Sequence, residues 1–110
     1  MIINQIAAVI ILCLGLLSIS FPQLVASQLG FTGLSDLADI ELRATYGAFF
    51  IALAVGLIYF NQQDMYVLVG YAWFAAGFLR LVALILKPIS LKKNLGGVLV
   101  ELGTGLLLIV

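Results

Sequence analysis

Four helix-length runs, about 2–20, 36–60, 65–86 and 95–110, take up most of the 110 residues, and each is dominated by apolar side chains. A hydrocarbon core about 30 Å thick is crossed by about 20 helical residues, so four spans nearly exhaust the chain. Hydrophobic residues make up 65% and charged residues 9%, against roughly 25% charged in an ordinary soluble domain. These runs predict an all-α protein: one integral membrane domain over 1–110, built as an antiparallel, up-down four-helix bundle.

Local signals set the expected ends. The first run stops at Phe21-Pro22, because proline disfavours helix in the residue before it. A signal peptide would carry a basic region ahead of its apolar stretch and a small-residue cleavage site after it, so a retained first span is expected. Pro22 to Ser35, with Gly30 and Gly33, reads as a loop in the headgroup region. Ser35 suits the N-cap of the second helix, and Asp36, Asp39 and Glu41 complement its dipole. Asn61 suits the stop of that helix and Asp64 the N-cap of the next, which makes spans two and three tightly connected neighbours. Lys87-Pro88 ends the third span, and Asn94 is placed to cap a fourth, shorter one, Leu95 to Val110. Lys87, Lys92 and Lys93 put the 87–94 loop on the cytoplasmic side, with both termini opposite.

Two full charges fall inside the apolar runs. An ionisable residue in a spanning helix is costly and marks a functional site by default. At about 1.5 Å per residue, Arg80 lies about 10 Å from the basic-loop end of span three and Glu101 about 9 Å from the same end of span four. Glu41 and Arg43 enter span two from that side, so four charges summing to zero share one leaflet. Helical spacing sets small or polar residues on shared faces: Gly97, Glu101, Thr104, Gly105 and Leu108; Ala72, Ala76, Arg80 and Ala83; Arg43, Gly47, Phe50 and Ala54. Small residues let membrane helices approach closely. The cluster reads either as an ion-pair network fixing helix register or as the polar floor of a ligand pocket. Tyr46, Phe49, Phe50, Tyr71, Trp73, Phe74 and Phe78 would wall such a pocket, whereas Tyr59, Phe60 and Tyr66 flank the short turn as interfacial belt residues.

Catalytic and metal chemistry find little support. The chain has no His and a single Cys, Cys13, so neither a hydrolytic triad, a thiolate and imidazole metal set nor an intrachain disulfide can be assembled. No basic run tracks a phosphate backbone, which argues against nucleic acid. No cofactor and no enzymatic activity are expected.

The stretch Glu41-Leu42-Arg43-Ala44-Thr45-Tyr46-Gly47, followed by an apolar helix to Gly56, together with Arg80 in span three and Glu101 in span four, resembles the signature of a bacterial family of small four-helix membrane proteins of unknown function. The resemblance implies an inner-membrane location and one constellation of Glu41, Arg43, Tyr46, Gly47, Arg80 and Glu101. Ala48 stands where that family often has a second glycine. The expected role is a non-catalytic membrane module that binds a lipid or small hydrophobic ligand, or serves as accessory subunit of a larger membrane complex. The alternative is a proton- or ion-coupled small transporter working as a homo-oligomer.

Overall fold

The computed structural model describes residues 2–28, 35–86 and 91–110, and of residues 26–28 and 91–95 the backbone alone. The described residues are all-helical, with no strand: α1 (Ile2–Ser20), α2 (Pro22–Gln28), α3 (Asp36–Leu42), α4 (Phe49–Phe60), α5 (Gln63–Leu86) and α6 (Leu91–Ile109). A π-helical turn, Arg43–Ala48, joins α3 to α4 into one continuous helix. Helix α1, the joined helix Asp36–Phe60 and α5 are long and apolar enough to cross a membrane, and Gly96–Ile109 is a shorter apolar helix.

Several ends follow their local chemistry. The Ser35 hydroxyl accepts from the Ala38 N–H at 3.1 Å, capping α3, with Asp36 and Asp39 in the first turn. Asn61 closes α4 in the left-handed region, φ 49° and ψ 47°, where asparagine is better tolerated than most residues. Its side-chain oxygen accepts from the Tyr66 hydroxyl at 3.0 Å and from Gln5 Nε2 at 3.3 Å. Tyr66 is therefore fully buried and is not an interfacial belt residue.

Other ends differ from expectation. Pro22 opens a short helix and not a loop, because its missing N–H is one that a first helical position leaves unpaired in any case. Helix α5 begins at Gln63, which places Asp64 within its first turn and not at the cap. Helix α6 begins at Leu91, so Asn94 is helical and the helix gains a turn over the expected 95–110. Residues 29–34, with Gly30 and Gly33, and the 87–90 part of the basic loop lie outside the described residues, as do the Lys92 and Lys93 side chains.

Small residues decide which helices meet. A Cβ added to Gly15 would lie 2.9 Å from the Gly47 carbonyl oxygen and 2.8 Å from Ile51, so α1 and the π turn touch almost backbone to backbone. On the other side, Cβ atoms at Gly70 and Gly77 would press on Gly105 and Leu102, bringing α5 onto α6. Asn4, buried on α1, donates to the Leu107 and Leu108 carbonyls at 3.0 and 2.9 Å. Those carbonyls fall in the last turn of α6, where no intrahelical N–H follows. Helix α1 thus contacts both the π turn with α4 and helix α6.

Helices α4 and α5 behave differently. Although Asn61 and Gln62 alone link them, they do not pack along their length. Close α4 to α5 packing, expected from the short turn, gives way because α4's small-residue contact faces α1 and α5's glycines face α6. The buried stripe of α5 is Tyr66, Gly70, Trp73, Gly77 and Leu84; Ala72 and Ala76, expected to turn inward with Arg80, do share its side of the helix but face the open gap toward α4, and Ala83 is exposed.

Candidate functional site

The gap between α4 and α5 widens into a cavity of about 750 Å³. That volume lies within the roughly 300 to 1,000 Å³ usual for small-molecule sites. Its walls are mostly apolar, with Leu14 and Leu17 from α1, Leu24 and Val25 from α2, Phe49, Phe50 and Leu53 from α4, and Leu68, Val69, Ala72, Trp73 and Ala76 from α5. The Phe50 and Trp73 rings bridge it, centroids 5.0 Å apart, and Tyr46 stands edge-on to Phe50 at 5.6 Å. Tyr71 and Phe78, expected as walls, are instead exposed, and Phe74 lies against Gly105 of α6.

The polar groups gather at one end. Arg80 Nε lies 2.5 Å from a Glu101 carboxylate oxygen, with the two side chains 27% and 15% exposed. The Nε–H is not aimed at that oxygen, and the buried Nε has no hydrogen-bond partner among the described residues. The contact is electrostatic, and the fork of the guanidinium is not matched bidentately by the carboxylate. The Arg80 side chain lies across Gly97: a Cβ there would sit 3.6 to 3.7 Å from its Cδ, Nε and Nη1. Gly96 and Gly97 thereby keep the cavity open beside the ion pair. Ser18 also reaches this cavity, its hydroxyl donating to the Leu14 carbonyl at 2.8 Å.

Of the seven residues singled out by sequence, Tyr46, Arg80 and Glu101 meet at the cavity. Gly47 is buried at the α1 crossing, and Thr104 is buried on α6 beyond the cavity wall. Glu41 and Arg43 do not join them. Arg43 Nε pairs with Asp39 at 3.1 Å on the outer face, both side chains substantially exposed, and Glu41 is exposed nearby. The π turn explains the separation. It inserts an extra residue into the turn, so Leu42, five residues before Gly47, shares the buried face, and Arg43 is rotated away. An exposed pair of this i,i+4 kind contributes about 0.5 kcal/mol or less.

Asp39 is Arg43's partner in place of the expected cluster, and acid and base four residues apart are the sequence signal for it. Leu14, Leu17 and Ser18 of α1 join the cavity wall without being among the expected site residues. No group of three or more His, Cys, Asp or Glu residues suited to a metal comes together among the described residues. No protein-family model, curated protein or solved structure matches the chain.

The Arg80 and Glu101 pair has a measurable signature. Arg80→Leu and Glu101→Leu are each expected to lower stability by about 2 to 3 kcal/mol, below the 3 to 5 of a fully buried pair because both groups keep some exposure. The double replacement should cost less than the sum of the two. Unfolding in detergent micelles measures this cycle, and additive losses would argue against coupling.

Proposed function

We propose that this chain is a non-catalytic integral membrane protein, an antiparallel, up-down four-helix module that binds a lipid or small hydrophobic molecule between α4 and α5. The observation that carries the reading is a largely apolar cavity of about 750 Å³ with one ion pair at its end. An amphiphile needs both parts: apolar walls for a chain and a charged end for a polar group. The pairing of Gly70 with Gly105 and of Gly77 with Leu102, ascending one helix while descending the other, supports the antiparallel arrangement. Large exposed apolar side chains such as Leu79, Ile85 and Leu86 suit a lipid-facing surface. On this reading the protein resides in a bacterial inner membrane as a member of the small four-helix family that its Glu41 to Gly47 stretch resembles. By the positive-inside rule, Lys87, Lys92 and Lys93 would put the connection between α5 and α6 in the cytoplasm and both termini across the membrane.

A second reading, coupled transport by a homo-oligomer, draws on the position of Glu101 at the cavity wall. It requires proton or substrate flux that the Glu101→Gln protein lacks.

Ligand binding is tested by native mass spectrometry of protein extracted in mild detergent. The wild-type chain should carry an extra mass of lipid or small-molecule size, and Ala76→Phe, which fills the cavity from α5, should lose it. A wild type with no bound mass, or a variant that retains it equally, contradicts the reading.

A further inference from the structure

We infer that the cavity's occupant is a zwitterionic phospholipid, its phosphate held by Arg80 and its ammonium by Glu101; this rests on the ligand-binding reading above. The charge at the cavity end is the first argument. Among the described residues, Arg80 and Glu101 are the only charged side chains on its wall, one of each sign. An anionic headgroup would gain Arg80 but face the neighbouring carboxylate, and a cationic one would meet the reverse. A headgroup carrying both charges satisfies both.

Hydrogen bonding points the same way. The buried Arg80 Nε lacks an aligned acceptor, and a guanidinium presents five donors in a fork that fits phosphate oxygens. A phosphate can supply acceptors that the off-axis carboxylate does not, leaving Glu101 to accept from an ammonium. Space for the headgroup exists beside the pair, since among the described residues a Cβ on Gly96 would meet nothing within 4 Å.

The apolar part fits acyl chains. Past Phe49, Leu53, Leu68 and Val69 the cavity continues into a second hollow of about 390 Å³ between α4 and α5. This gap opens sideways, because the two helices do not pack along their length. A lipid can therefore enter from the bilayer with its chains leading along the helix axes and its headgroup arriving at the charged end. Polarity changes along the cavity in the same direction as it does along a phospholipid.

The test uses the full chain reconstituted in equal amounts of phosphatidylethanolamine and phosphatidylglycerol with matched acyl chains, then extracted in mild detergent for native mass spectrometry. Wild-type protein should retain phosphatidylethanolamine over phosphatidylglycerol by roughly tenfold, equivalent to about 1.4 kcal/mol. Glu101→Gln should shift the ratio toward phosphatidylglycerol, and Gly96→Leu, which projects into open space, should release both lipids while its circular dichroism stays helical. A wild-type ratio of one or less overturns the headgroup assignment without any variant, as does a ratio unchanged in Glu101→Gln. Retention of neither lipid by wild type overturns the phospholipid assignment too; a bound mass of another kind in protein purified directly from its membrane would then leave ligand binding standing alone.

Discussion

Gly105→Ala is expected to destabilise the protein by about 2 kcal/mol or more, within the range of overpacking substitutions. A Cβ at this position would lie 2.8 Å from the Phe74 backbone nitrogen and 3.0 Å from the Gly70 carbonyl oxygen. Both are backbone atoms, so no rotamer change relieves the clash. The helices must move apart, and every contact along the α5 and α6 pair loosens with them. Gly103→Ala, two residues away, is the control. Among the described residues nothing lies within 4 Å of its added Cβ, so the change should stabilise by about 0.5 to 1 kcal/mol through helix propensity. Thermal unfolding in micelles separates the two outcomes. A Gly105→Ala protein as stable as wild type would mean that α5 and α6 do not approach so closely in the membrane.

The same close approaches explain what was legible in the sequence and what was not. Helix existence and approximate limits follow from apolar length and from local groups such as Ser35 and Asn61, whose effects act within a few residues. The depth match of Arg80 and Glu101 is also readable, since helical rise is uniform. Their 2.5 Å approach adds the lateral information that depth alone lacks. Faces on an uninterrupted helix can be counted, as the stripe ending in Thr104, Gly105 and Leu108 illustrates. A π turn breaks that count. Nothing in Arg43-Ala44-Thr45-Tyr46-Gly47-Ala48 announces the added residue by periodicity, so uniform helical spacing sets Arg43 on the face of Gly47 whereas the π turn rotates it outward. The open gap between α4 and α5 was hidden for a different reason. A two-residue link requires the helix ends to be near one another, whereas packing along their length depends on where the small residues point. On α1, Asn4, Ala8, Ile11, Gly15 and Ser18 recur at alternating four- and three-residue spacing and are all buried. That stripe of polar and small residues is a legible sign that α1 is the central helix, contacting both α4 and α6.

Trp73 supplies the most direct view of the cavity. It is the chain's sole tryptophan, is 8% exposed and stands on the cavity wall against Phe50. Bromine on an acyl chain quenches a nearby indole, so in bilayers of lipid brominated along its chains, Trp73 emission reports whether a chain occupies the space beside it. The lipid-filled cavity predicts loss of most Trp73 emission in wild-type protein and recovery of much of it in Ala76→Phe, where the cavity is filled and the chain excluded. Equal quenching in the two proteins, or emission in wild type unaffected by brominated lipid, would contradict a lipid chain between α4 and α5.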